Sequence, residues 1–248
     1  MMKKGLIIGK GWLGGRLENV LSNKYNLTTT KRNADKPNCI SINFDQVIDK
    51  SISTNEYEFI VITIPFGNRQ SMEQLDFRFT QLIQFIGNFN KQILLISSTG
   101  IYPDKEDVIY ESTFSDNELN QSYQLIENKL KITYPQLIIL RLGGLMGDNR
   151  YLSNYIKLDK PNLDVVANHI HYQDVCIIID TIIEMNFKGK VYNAVAPKHP
   201  TKEEILEYQI NQKLIKSDIE KGKIISSEKL INELNYQFTF PNPLYFKM

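Results

Sequence analysis

Three glycines near the N-terminus have the spacing to bind a dinucleotide: Gly9-Lys10-Gly11-Trp12-Leu13-Gly14. A short apolar strand, Leu6–Ile8, runs into this G-x-G-x-x-G, and an amphipathic stretch from Trp12 to Leu21 follows it. In that setting Gly9 permits the tight turn, Gly11 lets the backbone approach a pyrophosphate, and Gly14 lets the helix pack closely on the strand. Trp12 and Leu13, in the first helical turn, belong to the same site because the helix N-terminus faces the anion. The plainer alternative is a strand–helix turn that only needs flexible glycines. A second signal lies at the end of the next strand, where an acid would bind a ribose 2′-hydroxyl and select NAD, and a basic residue would select NADP. That strand ends Thr28-Thr29-Thr30-Lys31-Arg32, with no acid and two cations. Each charge-assisted bond to a 2′-phosphate is worth about 1.5–3 kcal/mol. The expectation is therefore NADP(H), with NAD as the alternative; two solvated turn residues are the bland reading of Lys31 and Arg32.

The elements that must position these residues alternate along the chain. Strands are predicted at Asn26–Thr30, Ile40–Ile42, Phe59–Ile64, Ile93–Ile96 and Leu137–Leu140. Met72, Leu75, Phe79, Leu82, Ile83 and Ile86 recur at helical spacing, and Glu118–Thr133 reads as a further helix stopped before Pro135. Val175–Met185 reads as a helix and Val191–Asn193 as a strand. Thr201-Lys202-Glu203-Glu204 has the capping-box pattern, and Ser226 or Ser227 caps a last helix before an aromatic tail, Phe238–Phe246. Strands alternating with helices predict an α/β fold: a doubly wound parallel sheet of about six or seven strands with right-handed crossovers. In it, strand Ile93–Ile96 delivers Ser97–Thr99 to the carboxyl edge, where such sheets bind ligands.

Composition narrows the function classes. The 248 residues carry 29 basic and 28 acidic side chains, a net charge of +1, so no global field attracts nucleic acid or an anionic membrane. The two cysteines, Cys39 and Cys176, are isolated, which fits a reducing cytoplasm, and no apolar run approaches a membrane span. His169-x-His171 with Asp174 lacks a further cluster to complete a ligand set, so no metal is expected. Lys213, Lys216, Lys221 and Lys223 are interleaved with Asp218 and Glu220 and read as a solvated face.

Five stretches, in order, resemble the short-chain dehydrogenase/reductase superfamily, and within it the NAD(P)-dependent epimerase/dehydratase branch. They are the glycine turn; Ser97-Ser98-Thr99-Gly100-Ile101-Tyr102; Leu140-Arg141-Leu142-Gly143-Gly144-Leu145-Met146-Gly147; His169-Ile170-His171-Tyr172-Gln173-Asp174-Val175; and Val191-Tyr192-Asn193-Ala194-Val195. The resemblance implies a Rossmann core over about residues 1–141 and 173–195, with a small substrate lobe over about 142–172 and 196–248. It implies a small-molecule substrate beside the cofactor, and a monomer or homodimer. It also places Asp45 near the adenine, Ile64 and Pro65 beneath the cofactor, Ser97 at the strand end and Gly143 near the nicotinamide. Ser98 matches the family's active-site Ser/Thr, which hydrogen-bonds the reacting oxygen; a polar cap on a strand end is its alternative role.

One family feature is missing. Active members pair a Tyr with a Lys four residues later on one helix, so that the cation favours the phenolate. None of the 13 tyrosines here has Lys at that position. Aligning Glu127 with the acid that commonly follows the family's Lys puts Tyr123 at the Lys position, and an acid one turn from a phenol works against its ionisation. Tyr123 is thus either a substitute acid/base or a contact on the helix surface. Two functions stay open: an NADP(H)-dependent oxidoreductase or epimerase-like enzyme on a sugar nucleotide or other small hydroxyl/carbonyl compound, centred on Ser98; and a non-catalytic NADP-binding redox sensor or regulator.

Overall fold

The computed structural model describes residues 2–49, 53–66, 70–216 and 221–246; Asp218 and Glu220 of the basic run lie outside the described residues. The chain runs β1 (Lys4–Ile8), α1 (Trp12–Leu21), β2 (Asn26–Lys31), β3 (Cys39–Ser41), β4 (Phe59–Ile62), α2 (Met72–Ile86), β5 (Gln92–Ser98) and β6 (Val108–Ile109). It continues with α3 (Gln121–Thr133), β7 (Ile138–Leu142), β8 (Gly144–Met146), β9 (His169–His171), α4 (Tyr172–Met185), β10 (Val191–Ala194), α5 (Lys202–Asn211), β11 (Ile224–Ile225) and α6 (Glu228–Leu234).

Seven strands form one sheet in the order β10-β7-β5-β4-β1-β2-β3, and every pairing is parallel. The central strands are apolar throughout because helices cover both faces. On one face, Leu13, Leu17 and Leu21 of α1 and Ile178, Ile179 and Ile182 of α4 pack with Ile7, Val61 and Leu140. On the other, Leu75, Phe79 and Leu82 of α2 and Ile126 and Leu130 of α3 pack with Leu6, Ile60 and Leu95. The strand order reverses between β1 and β4, which opens a crevice at their carboxyl ends.

The periodic segments fold as read, with α1 and α2 matching their predicted spans. The differences lie at element ends. Helix α3 starts at Gln121 rather than Glu118, because the Asn120 side chain accepts from the Ser122 amide (3.1 Å) and caps it there. Strand β4 stops at Ile62, two residues short, where Thr63 turns its hydroxyl to the glycine turn and Pro65 has no amide to donate. His169–His171, for which no strand was expected, is a strand paired in parallel with β8. Ser227 holds the cap position of α6, but its hydroxyl bonds Val195; it is the Ser226 hydroxyl that accepts from the Glu228 amide (3.2 Å). Thr201 and Glu204 form the expected capping box of α5. Among the described residues no helix is long and apolar enough to cross a membrane.

Candidate cofactor and active site

The glycine turn joins β1 to α1 at the switch of strand order. Gly9 sits at φ +104°, a conformation that costs a residue with a Cβ. Its amide donates to Thr30 Oγ1 (3.0 Å), and its carbonyl accepts from Thr63 Oγ1 (2.6 Å) and from the Gly11 amide (2.7 Å). A Cβ on Gly14 would lie 2.3 Å from the Gly9 carbonyl oxygen, so α1 can approach the turn only with glycine there. The cap position of α1 is Gly11, which brings no side chain to the first-turn amides. Those amides lack intrahelical acceptors, and with the helix dipole they leave positive potential at the mouth of the turn, where an anion would be favoured.

A cavity of about 430 Å³ opens beside this turn, between Gly9, Gly11, Thr30, Lys31 and Arg32 on one side and Asn43, Phe44, Asp45, Ile64, Pro65 and Arg78 on the other. The strand-end cations do line it, but each is tethered. Lys31 pairs with Asp35 (3.0 Å), which also holds Lys10 (2.9 Å), and these two ammonium groups hold the Asp35 carboxyl well below the usual range. Arg32 pairs with Asp45 (2.8 Å) while its side chain stays 68% exposed. Asp45 also accepts from Arg78 Nε (2.7 Å), whose buried guanidinium reaches the Pro65 carbonyl (3.3 Å). The cavity wall is therefore a ladder of shared charges, with Arg32 as its solvent-facing rung.

A second cavity, about 870 Å³, continues from the first and shares Gly11, Arg32, Thr63, Ile64, Pro65 and Arg78 with it. Trp12 and Leu13 line one end; Ile96, Ser97 and Ser98 at the end of β5, with Tyr123, line the other. Ser98 Oγ accepts from the Gly100 amide (3.0 Å), and among the described residues its own proton has no acceptor. A Cβ placed on Gly100 would lie 3.2 Å from both Ser98 Oγ and the Tyr123 hydroxyl oxygen, so the fold brings the two candidate catalytic groups to one spot. The Tyr123 ring meets Phe66 edge-on, 5.2 Å between centroids.

Beneath this floor lies a buried polar network. Ser97 Oγ donates to Glu127 Oε1 (2.7 Å), and Arg141 grips the same carboxylate through Nε (3.1 Å) and Nη2 (2.7 Å). Arg141 Nη1 also donates to the Tyr102 hydroxyl (2.8 Å), which donates in turn to Asn193 Oδ1 (2.7 Å). Burial raises the Tyr102 phenol despite the nearby Arg141. The charge of Glu127, read from sequence as bearing on Tyr123, is thus committed to Arg141 in the interior.

Not every expected residue faces the crevice. Gly143 is set back from both cavities; its amide donates to Ala194 (3.0 Å), and a Cβ there would lie 2.4 Å from the Asn168 carbonyl oxygen. The Asp174 carboxylate is consumed by the Tyr236 hydroxyl and the amides of Thr239 and Phe240. Sequence reasoning missed Thr63, Arg78 and Arg150, all of which line the second cavity. Arg78 left a signal, because it lies three residues after Leu75 and four before Leu82, on the buried stripe of α2 where a charge needs a partner. Thr63 and Arg150 left none.

No family model matches the chain. It is 26% identical over 276 aligned positions to Protein YeeZ of Escherichia coli K12, covering 98% of each chain. Among solved structures it is similar to human epimerase family protein SDR39U1, determined with NADPH (TM-score 0.73, 14% identity, 98% of this chain and 97% of that one). It is also similar to dTDP-glucose 4,6-dehydratase of Bacillus anthracis, determined with NAD (TM-score 0.67, 16% identity, 98% and 94%). At these identities the likeness shows the fold, a Rossmann-type sheet shared over nearly the whole chain.

Proposed function

We propose that this protein binds a nicotinamide dinucleotide, NADP(H) in preference to NAD, and acts on a sugar nucleotide or another small hydroxyl/carbonyl compound as an oxidoreductase or epimerase-like enzyme. The observation that carries the reading is the continuous crevice: an uncapped glycine turn at its centre, Arg32 at one end, and Ser98 with Tyr123 at the other. Solved structures of the same fold contain NADPH or NAD, which supports the cofactor class.

The residues fit such a group. The first-turn amides of α1 would hold the pyrophosphate, Thr30 and Thr63 keep the turn in shape, and Arg32 with Lys31 would meet a 2′-phosphate. When bound, the nicotinamide supplies hydride donation or acceptance. Ser98 keeps its proton for an oxygen in the crevice and would orient the reacting hydroxyl or carbonyl. The network through Ser97, Glu127 and Arg141 fixes the end of β5 and so the position of Ser98. Tyr123 is the neighbouring hydroxyl, with no lysine among the described residues lining that cavity.

That lack of a lysine favours a second reading, an NADP-binding sensor without turnover. A panel of carbonyl compounds and nucleotide sugars, with NADPH oxidation followed at 25 °C, separates the two. With an active substrate, Ser98→Ala should lower kcat about a hundredfold, more than Tyr123→Phe, while NADPH binding persists. The opposite ranking would transfer the catalytic role to Tyr123. Inertness toward the whole panel, with partner binding that depends on NADPH, would establish the sensor.

A further inference from the structure

After β8 the chain turns sharply through Gly147 (φ +114°) and Asp148 (φ +51°), closed by reciprocal 2.9 Å backbone bonds between Gly147 and Arg150. This turn lies against the first turn of α1. Trp12 Nε1 donates to Asn149 Oδ1 (3.1 Å), Arg16 pairs with Asp148 (2.7 Å), and the Tyr172 hydroxyl donates to the same carboxylate (3.1 Å). Two guanidinium groups rest on the Trp12 ring, Arg16 at 3.7 Å and Arg150 at 4.3 Å from its centroid. Asp148 meets the charge of Arg16. Arg150 is half-buried, and its guanidinium has neither an ion pair nor a hydrogen bond to any described residue.

Its surroundings make that charge conspicuous. The 870 Å³ cavity is lined by three arginines, Arg32, Arg78 and Arg150, and by no carboxylate among the described residues. Arg32 and Arg78 share Asp45 at the far end. Arg150 instead stands beside Gly11, Trp12 and Leu13, where the open amides of α1 add further positive potential. A guanidinium stays charged at any working pH and presents its donors as a planar fork suited to phosphate. Stacking on Trp12 offsets part of its lost hydration and holds that fork in one plane.

We propose that Arg150 is a phosphate-holding residue that reaches across from the turn after β8 to a diphosphate seated at the mouth of α1. The assignment rests on the dinucleotide reading above. The phosphate belongs either to the cofactor's pyrophosphate or to the diphosphate of a nucleotide-linked substrate, and binding measurements tell them apart.

The test uses the full chain, wild type, Arg150→Met and Arg150→Lys. Methionine keeps a stem on Trp12 and removes the charge; lysine keeps the charge and removes the fork. Three probes are titrated calorimetrically: inorganic pyrophosphate and NADPH on the unliganded protein, and UDP on the NADPH-saturated protein, with a thermal melt to confirm that each variant is folded. Arg150→Met should weaken pyrophosphate at least about tenfold, the loss of one charge-assisted contact, with Arg150→Lys in between. A matching loss for NADPH assigns the cofactor as the phosphate source; a matching loss for UDP alone assigns the substrate. Folded Arg150→Met within twofold of wild type for all three probes overturns the proposal, as does a wild type that binds none. A wild type that binds pyrophosphate through Arg150 but not NADPH overturns the cofactor reading and leaves Arg150 a phosphate holder.

Discussion

The two ends of the crevice are built on opposite electrostatic plans. At the β2 end four cations are laced through two half-exposed acids, Asp35 and Asp45: Lys31 and Arg32 reach the surface, while Lys10 and Arg78 are buried behind them. The two exposed pairs, Lys31–Asp35 and Arg32–Asp45, hold their cations only weakly and leave them open to another anion. At the β5 end the charges are underground. Glu127 and Arg141 are 1% and 5% exposed, and each polar atom of the pair serves Ser97, Tyr102 or the other partner. What lines the cavity there is hydroxyls, those of Ser98 and Tyr123 beside that of Ser97, which is turned back to Glu127. The first end shares its charges along an open wall; the second keeps its charged pair in the interior.

The largest expected effect tests the buried half. Glu127→Ala leaves Arg141 charged and unpaired in the interior, which should destabilise the protein by about 3–5 kcal/mol in urea unfolding. A loss below about 1 kcal/mol would show that water reaches the pair and that the two ends differ less than their burial suggests.

Acid should come next and should spare the β2 end. All three histidines, His169, His171 and His199, lie on the side of the chain after β8. Burial lowers each imidazole from its ordinary value of 6.5, His169 and His199 to about 4, with Lys202 adding to the effect on His169. Such a group takes up a proton on unfolding, so its stabilisation is full above about pH 6.5 and is lost as the pH falls toward 4. His169 alone accounts for up to about 3 kcal/mol over that window. Urea midpoints should fall between pH 7 and pH 5, less steeply in His169→Gln; parallel slopes in the two proteins would remove His169 as the cause.

The smallest effect sharpens the exposed half. Arg32→Ala should weaken NADPH about tenfold and leave NADH unchanged, read by ligand fluorescence. Equal weakening of both would mean that Arg32 serves the wall through Asp45 rather than a 2′-phosphate.

The same division governs what could be read from the sequence. The glycine turn was legible because its requirements are local: a positive φ at Gly9, a bare approach at Gly14 and a strand–helix junction are all fixed within a few residues. The seven-stranded sheet was legible for a related reason, since each buried run declares its own period. The partners of Lys31 and Arg32 were not, because nothing in the spacing couples Arg32 to Asp45 or Lys10 to Asp35. The strand His169–His171 was hidden because its three residues become a strand only by pairing with β8.

By itself, then, the sequence determined the doubly wound core, the anion-ready turn and the missing Tyr–Lys pair, all properties of neighbours along the chain. Only the tertiary structure decided that Ser98 and Tyr123 share one cavity, that Glu127 is neutralised by Arg141, and that Arg150 stands over Trp12. These depend on residues 14 to 138 positions apart, whose meeting is set by how the helices pack across the sheet, and that packing answers to the whole buried surface rather than to any local pattern.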